Sequence, residues 1–409
     1  MMTETVPKPT WTVMVYMAAD TGDSFYQAAM NDITEMTAAR FDDRVKVVVH
    51  ADAPSPWDTK CWEIKAGVTK EPRQGVGLDA ESGKRGCGHK CLLDFVRSYL
   101  SNRNYKADYY LLVLWGHGEG IDWKEKVLGA RTAQDIVGKR FAPGSGGVME
   151  VGALGRSLRQ LAGVTGIQRD QLVVGFDACL MGMVEVYDEI HESVGWAVAT
   201  SDEIPDKGWP YKDILDRIGK VSTPKELAEE IVEICAKWYS VHIPESRVSF
   251  SACDLAESHG LSSATAELTQ QLRARIKEDP LRKAIREARD FAEDLQESAY
   301  VDLFAFCSEL KRQTVSQADK LGLKPLQDAT NKVVEVLRQF VIGHSFSDEY
   351  PYKYVEDSRG VSICFPESAE LTGSLPGIEI NWGSYRDLNF SRETEWPAFL
   401  QESFERRAK

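Results

Sequence analysis

The stretch QLVVGFDACLMGM (Gln171–Met183) joins a short apolar run to a segment of helix-forming composition. The apolar run, Leu172–Phe176, stops at Asp177-Ala178-Cys179, and the helical pattern then extends from Leu180 to Ile190. An apolar run that turns into a helix is typical of a buried parallel strand, and ligands bind at the carboxyl ends of such strands. The pattern predicts Cys179 at a strand tip beside a helix N-terminus, where backbone N–H groups favour a thiolate. Cys179 is therefore a candidate nucleophile.

A second apolar run, Tyr109–Trp115 (YYLLVLW), ends in Gly116-His117-Gly118. The glycines allow a sharp turn and a close approach by a substrate. An imidazole at this position can activate a thiol and later protonate a leaving amine. Taken singly, Cys179 fits a small buried core residue equally well, and His117 fits a structural turn. Their occurrence at two strand tips of one chain favours the catalytic interpretation.

Strand-like runs alternate with helical patterns over the first 255 residues. This alternation predicts right-handed βαβ crossovers, and hence an α/β fold with a mostly parallel sheet flanked by helices. From residue 256 the sequence becomes charged and helical, which indicates an appended helical C-terminal subdomain with a strand returning near residues 360–365. We therefore divide the chain into residues 11–255 and 256–409. The predicted strands are Thr12–Met17, Val45–His50, Tyr109–Trp115, Leu172–Phe176, Trp196–Thr200, Val248–Ala252 and Gly360–Phe365, and the predicted helices are Ser24–Arg40, Leu92–Ser101, Val151–Leu161, Leu180–Glu192 and Pro224–Tyr239.

The composition is that of a globular protein with a net charge of −14, which argues against nucleic acids and anionic membranes as partners. No apolar stretch reaches the length of a membrane helix, and no signal peptide is visible, so we expect a cytoplasmic location. Eight scattered cysteines fit reduced thiols better than a disulfide framework. The cluster CGHKC (Cys87–Cys91) has two thiols and an imidazole but no second group of ligands, so we predict no metal site.

Several motifs together resemble the clostripain family of cysteine peptidases, in the caspase-like clan. They are WTVMVYMAAD (Trp11–Asp20), LWGHG (Leu114–Gly118), FDACLMGM (Phe176–Met183), GWPY (Gly208–Tyr211), SACDLAE (Ser251–Glu257), YVDLFAF (Tyr300–Phe306), GVSICFP (Gly360–Pro366) and EWPAFL (Glu395–Leu400). The resemblance covers roughly residues 11–400 and implies a caspase/haemoglobinase-like fold. It implies that Cys179 attacks the scissile carbonyl and that His117 acts as acid and base. The backbone amides of Gly118 and Cys179 would then form the oxyanion hole.

The resemblance also implies cleavage after basic residues, with Arg preferred to Lys. Asp177 matches the family acid of the basic pocket, and a desolvated carboxylate pairs bidentately with a guanidinium. The alternative is that Asp177 only caps the helix beginning near Leu180. The loop after the next strand supplies further candidate substrate-binding residues, which are Asp202, Asp206 and Trp209. Lys207, in the same loop, is a basic residue where an acid would suit a pocket for basic side chains better.

The segment Ile121–Gly147 combines glycine and proline with several basic residues. Loops of this kind are exposed and are favoured sites of proteolytic nicking. The segment lies between His117 and Cys179, and the family resemblance implies maturation by cleavage in this region. Lys139 and Arg140 are the candidate processing sites, because they suit a basic-specific active site. The alternative is an ordinary surface loop that stays intact.

These observations predict a cysteine endopeptidase, made as a zymogen, that acts on protein or peptide substrates with basic residues. Two alternatives remain open. One is a catalytically dormant caspase-like signalling or interaction protein that needs an upstream activating protease. The other is an amidase that uses the same Cys–His pair on a non-peptide substrate. We predict no cofactor. Some family members depend on calcium, and because the sequence has no recognisable calcium loop, calcium remains only an alternative.

Overall fold

A mixed sheet of ten strands lies at the centre of the part of the chain that this computed structural model describes. The described residues are 10–54, 58–69, 73–74, 89–118, 120–121, 149–292, 299–315, 322–347, 358–367 and 382–405. The strands are β1 (Trp11–Met17), β2 (Val45–Ala51), β3 (Lys60–Lys65), β4 (Val68–Thr69), β5 (Arg73–Gln74), β6 (Tyr109–Trp115), β7 (Leu172–Asp177), β8 (Trp196–Ala199), β9 (Ser249–Asp254), β10 (Tyr300–Asp302), β11 (Val341–Phe346) and β12 (Ser362–Cys364). Their order across the sheet is β11-β9-β8-β7-β6-β1-β2-β3-β4, with β5 also paired to β3.

The five central strands, β8-β7-β6-β1-β2, run parallel, and antiparallel strands extend the sheet at both edges. Every residue of β1 (WTVMVYM) and of β7 (LVVGFD) is buried. Strands of a parallel sheet are apolar on both faces because helices cover both sides. The predicted α/β class is confirmed. The predicted bounds of β6 match those observed, and those of β1, β2, β7 and β8 agree to within one residue.

The helices pack against this sheet and against one another. They are α1 (Asp23–Ala38), α2 (His89–Leu100), α3 (Val151–Thr165), α4 (Val184–Ile190), α5 (Tyr211–Ile218), α6 (Pro224–His242), α7 (Ser258–Arg275), α8 (Asp279–Ala292), α9 (Leu303–Val315), α10 (Lys324–Phe340), α11 (Trp382–Asp387), α12 (Asn389–Thr394) and α13 (Trp396–Glu405). Helix α5 packs against both α1 and α6, and helix α3 packs against both α2 and α4. Among the described helices, none combines the length and the apolar character that a bilayer span requires.

The segment after Cys179 is a loop and not the start of a helix. The N–H of Leu180 donates to the Asp202 carbonyl at 3.0 Å, and the N–H of Gly182 donates to the Thr200 carbonyl at 2.7 Å. Leu180 also adopts a left-handed φ of 61°, which is incompatible with a helical turn. Helix α4 therefore begins at Val184, and the prediction of a helix from Leu180 is wrong. Cys179 consequently lies at a strand tip but not beside a helix N-terminus.

The C-terminal part of the chain contributes to two sheets. Strand β11 pairs antiparallel with β9 and forms one edge of the main sheet, which the sequence pattern did not predict. The strand expected near residues 360–365 is present as β12, and it pairs with β10 in a separate two-stranded sheet. The division into residues 11–255 and 256–409 stays a prediction.

Candidate active site

The tips of β6 and β7 lie side by side. Trp115 pairs with Asp177 in the parallel register, and the N–H of Gly116 donates to the Asp177 carbonyl at 3.2 Å. His117 and Cys179 each follow a member of this pair by two residues. Because the carboxyl ends of parallel strands meet at one edge of a sheet, the structure brings the candidate base and the candidate nucleophile to the same rim.

Beyond this pair, the two strand tips touch through their backbones. A Cβ built on Gly118 would overlap the carbonyl oxygen of Cys179 and would lie 2.9 Å from the Cys179 nitrogen. Real Cβ atoms do not approach backbone atoms so closely, so only glycine fits at position 118. The two residues that the sequence assigned to the oxyanion hole are therefore in direct contact.

The thiol of Cys179 is covered by the loop that follows β8. The N–H of Ile204 donates to Cys179 Sγ at 3.2 Å, and the thiol in turn faces the Ile204 carbonyl at 3.7 Å. Cys179 and Ile204 are each only 2% exposed. The sulfur thus lies at a strand tip, near the rim, beneath a segment of backbone.

His117 is held by residues that follow β1. Its Nε2 lies 3.3 Å from the Thr21 hydroxyl, and its ring stacks on the Phe25 ring with centroids 4.1 Å apart and planes within 7°. The imidazole is 4% exposed. Met17, at the end of β1, pairs with Trp115 at the end of β6, and this register carries Thr21 and Phe25 to the imidazole.

Asp177 is fully buried at the end of β7. Its Oδ2 accepts hydrogen bonds from the Trp209 N–H at 3.1 Å and from the Tyr211 hydroxyl at 2.9 Å. It does not cap a helix at Leu180, because α4 begins at Val184. Both donors lie on the segment after β8, so the carboxylate joins that segment to the nucleophile strand.

The negative charge of Asp177 affects the acids and phenols around it. Burial is the main reason why the pKa of Glu35 is raised, and the carboxylates of Asp213 and Asp177 add to the effect. Burial and then the Asp177 carboxylate raise the pKa of Tyr211 and of Tyr239 well above the ordinary value. The interior beneath the two strand tips is therefore electronegative and disfavours further negative charge.

The other predicted pocket residues occupy different environments. Asp202 is 1% exposed, and its carbonyl accepts from Leu180 next to the nucleophile. Asp206 is exposed. Trp209 is fully buried, and its ring packs so tightly on β7 that a Cβ at Gly175 would lie 2.5 Å from it. The Trp209 ring is thus packed against β7 and its backbone N–H contacts Asp177, while its role as a substrate-binding residue stays a prediction.

The C-terminal region supports the loop that follows Cys179. The N–H of Ser362, on β12, donates to the Gly182 carbonyl at 2.8 Å. Glu185, at the start of α4, accepts from the Cys364 N–H at 2.9 Å and from the Tyr385 hydroxyl at 3.0 Å. Burial raises the pKa of Glu185 to about 7, against the opposing effect of these donors. The loop after Cys179 therefore has supports on both sides, at the end of β8 and at β12.

Several residues of this site were not identified from the sequence, namely Thr21, Phe25, Ile204, Tyr211 and Ser362. Most of the segment 121–147, including Lys139 and Arg140, lies outside the described residues. Cys87 of the CGHKC cluster also lies outside them. Within the described ranges, no group of three or more His, Cys, Asp and Glu side chains could hold a metal ion.

A known protein family and several solved structures are similar to this chain along most of its length. A model of the clostripain family matches residues 15–402. Among curated proteins, none matches this chain. A secreted C11 cysteine protease from Bacteroides thetaiotaomicron, solved with an irreversible peptide inhibitor, is 21% identical over 95% of this chain and 99% of that chain, with a TM-score of 0.64. An inactive zymogen C11 protease from Parabacteroides distasonis is 17% identical over the same shares of the two chains, also with a TM-score of 0.64.

These two solved structures share the fold of this chain along nearly the whole of its length. The family model likewise extends from β1 to α13 and includes both strand tips of the site. The chain therefore belongs to the clostripain family of cysteine peptidases.

Proposed function

We propose that the chain is an endopeptidase in which Cys179 is the nucleophile and His117 the acid and base. The observation that carries this proposal is the contact between Gly118 and Cys179, which sets the two residues on adjacent strand tips. His117 takes the thiol proton, and the Cys179 sulfur attacks the scissile carbonyl to form a tetrahedral oxyanion. The N–H groups of Gly118 and Cys179 stabilise that oxyanion.

The second half of the reaction uses the same groups. The imidazolium of His117 gives its proton to the leaving amine as the carbon–nitrogen bond breaks, and an acyl-enzyme remains on Cys179. The imidazole then takes a proton from water, whose oxygen attacks the acyl carbon and releases the carboxylic acid. The thiol is regenerated when the proton returns to sulfur.

We further propose that the substrates are proteins or peptides cleaved after Arg and, less well, after Lys. Supporting this proposal, Asp177 is a fully buried carboxylate two residues before Cys179, and Asp202 is a second buried acid, whose backbone carbonyl accepts from the N–H of Leu180. The electronegative interior around Asp177 suits a cationic side chain. The competing interpretation is structural, because the Trp209 N–H and the Tyr211 hydroxyl already bind one Asp177 oxygen.

A kinetic comparison tests the catalytic and specificity proposals together. Peptides that differ only in Arg, Lys or Asp before the scissile bond are incubated with the wild-type chain, Cys179→Ala and His117→Ala. We expect cleavage of the Arg and Lys peptides by the wild type and none by either variant. Turnover by Cys179→Ala would exclude the nucleophile assignment, whereas preference for the Asp peptide would exclude only the basic pocket.

We also propose that the chain is made as a zymogen and is cut within residues 121–147, at Lys139 or Arg140. The cover that Ile204 places over Cys179 is the expected feature of a resting enzyme. The similar Parabacteroides distasonis structure is described as an inactive zymogen. N-terminal sequencing of aged wild-type and Cys179→Ala protein tests this proposal. Two fragments from the wild type alone indicate self-cleavage, whereas no fragments from either indicate dependence on an upstream protease.

The cytoplasmic location stays a prediction. Two similar solved structures, both from Bacteroides thetaiotaomicron, are of secreted proteases. Fractionation of the source cells, with an antibody to this chain, tests the location directly. Activity measured with excess chelator, and again after calcium is restored, tests the calcium alternative.

A further inference from the structure

We propose that Thr21 and Phe25 are positioning residues that set the tautomer and the orientation of the His117 imidazole. This inference rests on the proposed function, in which His117 is the acid and base. Thr21 lies just before α1, and Phe25 lies in its first turn. Neither residue belongs to the two motifs that carry Cys179 and His117.

The Thr21 hydroxyl determines which ring nitrogen can serve as the base. A neutral imidazole has one N–H donor and one nitrogen with a free lone pair. The Thr21 Oγ1 lies 3.3 Å from Nε2 of His117, and when the hydroxyl oxygen accepts from Nε2–H, the lone pair is placed on Nδ1. In this tautomer Nδ1 is the nitrogen that takes the Cys179 proton.

The Phe25 ring fixes the plane of the imidazole. The two rings are parallel to within 7° at a centroid distance of 4.1 Å, so rotation of the imidazole out of this plane would break the contact. An aromatic face also attracts a cation placed over it within about 6 Å. The stack therefore favours the imidazolium that forms after the thiol gives up its proton.

The Phe25 ring is itself held in place by Trp115, which also binds a second residue of α1. Its ring packs against Trp115 with centroids 4.6 Å apart, and the indole N–H of Trp115 donates to Asp32 Oδ2 at 2.8 Å. Asp32 lies two turns further along α1 and is buried. Helix α1 thus contacts both Trp115, the last residue of β6, and His117, two residues beyond it, and anchors the catalytic turn at two points.

Paired substitutions test this inference, with each activated variant compared with the activated wild-type enzyme. Thr21→Val keeps the shape but removes the hydroxyl, and Thr21→Ser keeps the hydroxyl. Phe25→Leu removes the aromatic face, and Phe25→Tyr keeps it. Two controls, Thr34→Val on the exposed side of α1 and Phe41→Leu beyond its end, change the same residue types away from the site.

We expect Thr21→Val and Phe25→Leu to lower kcat by about tenfold, with KM changed by less than about twofold, because a hydrogen bond or a stacked cation is lost but no substrate contact is. Thr21→Ser, Phe25→Tyr and both controls should retain kcat within about threefold. Equal kcat in Thr21→Val and Thr21→Ser would overturn the role of the hydroxyl. A rise in KM at constant kcat would overturn positioning in favour of substrate binding.

Thermal unfolding identifies any variant that fails to fold. If a Thr21 variant fails to fold, the two Phe25 variants test the inference, and if a Phe25 variant fails, the two Thr21 variants do. Cys179→Ala and His117→Ala are measured in the same series. If they retain activity, the proposed function is wrong. If they are inactive while Thr21→Val and Phe25→Leu behave as the controls do, only this further inference is wrong.

Discussion

Gly118 lies against the backbone of Cys179, so that any side chain at position 118 would collide with the residue that carries the thiol. The contact joins the tips of β6 and β7 where Trp115 and Asp177 end the shared register. It explains how two residues 62 positions apart, His117 and Cys179, reach one rim. The geometry of the proposed oxyanion hole thus depends on the absence of one methyl group.

Gly118→Ala should therefore lower activity without unfolding the chain. The new Cβ would force the two strand tips apart and would displace the N–H groups proposed to bind the oxyanion. Loss of a preorganised donor commonly costs about 100-fold or more in kcat. Steady-state kinetics on an Arg peptide measure the effect. Gly163→Ala is the matched control, because a Cβ at that exposed helical position meets no atom within 4 Å. Wild-type kcat in Gly118→Ala would exclude this account.

Asp177→Asn should separate charge from structure in the proposed specificity pocket. The asparagine carbonyl oxygen can still accept from the Trp209 N–H and the Tyr211 hydroxyl, so the local fold is retained while the negative charge is lost. A charged hydrogen bond contributes about 1.5–3 kcal/mol, so kcat/KM for an Arg peptide should fall by about 10- to 150-fold. Competition between Arg and Gln peptides measures the change in preference. An unchanged ratio would leave Asp177 a purely structural role.

The cover over the Cys179 thiol predicts slow alkylation of this residue in the intact chain. Ile204 is buried, and its N–H is bound to Cys179 Sγ, so a bulky reagent must displace the loop to reach sulfur. Ile204→Gly removes a buried side chain that holds the loop down, and the rate of Cys179 labelling should rise by about tenfold. Mass spectrometry of labelled peptides measures this rate, with buried Cys235 and Cys253 as internal reference thiols. Labelling of Cys179 at the same rate in both proteins would contradict the covering role.

The sequence predicted the strand tips of the site better than its walls. The apolar runs of β6 and β7 are continuous and end at glycine or aspartate, so local pattern alone locates the residues that follow them. The start of α4 could not be predicted, because the N–H groups of Leu180 and Gly182 donate to partners in the loop after β8. Such tertiary hydrogen bonds override helix propensity and leave no periodic signal.

The support for His117 was likewise hidden in the sequence, since 96 residues separate it from Thr21. The two residues meet because β1 and β6 are neighbours in the sheet. The sequence pattern of a strand does not indicate which strand lies beside it. The Trp209 ring, in a segment predicted to bind substrate, packs closely on Gly175, and the sequence of the loop does not indicate this contact.

A buried network at the end of β2 predicts that stability depends on pH. His50 lies between Cys61 Sγ, 3.3 Å from Nδ1, and Asp52 Oδ1, 3.2 Å from Nε2. Burial opposes the imidazolium, but Asp52 and Cys61 outweigh it and raise the pKa of His50 from 6.5 to about 9. The stabilisation of the folded state by protonated His50 is therefore complete below pH 6.5 and is lost as the pH rises through about 9.

Asp52→Asn removes the carboxylate that raises the pKa of His50, so the variant should lose most of the difference in the free energy of unfolding between pH 6 and pH 9 that this network causes in the wild type. The shift corresponds to on the order of 3 kcal/mol. Denaturant unfolding at both pH values measures it, with Asp43→Asn, on an exposed carboxylate, as the control. Equal pH dependence in Asp52→Asn and the wild type would contradict the ion pair.

Glu185 should also make the folded state less stable as the pH rises, but here substitution by a neutral amide should restore the stability. Its pKa is raised from 4.5 to about 7 chiefly by burial, so the folded state favours the neutral acid, and stability falls as the pH rises from 4.5 through 7. Glu185→Gln cannot ionise, yet its amide oxygen can still accept from the Cys364 N–H and the Tyr385 hydroxyl. The variant should match the wild type near pH 4.5 and exceed it above pH 7, by up to about 3 kcal/mol. Denaturant unfolding across this range tests the difference, with Glu192→Gln on an exposed side chain as the control. A variant less stable than the wild type at every pH would mean that the Glu185 carboxylate is ionised and needed in the fold.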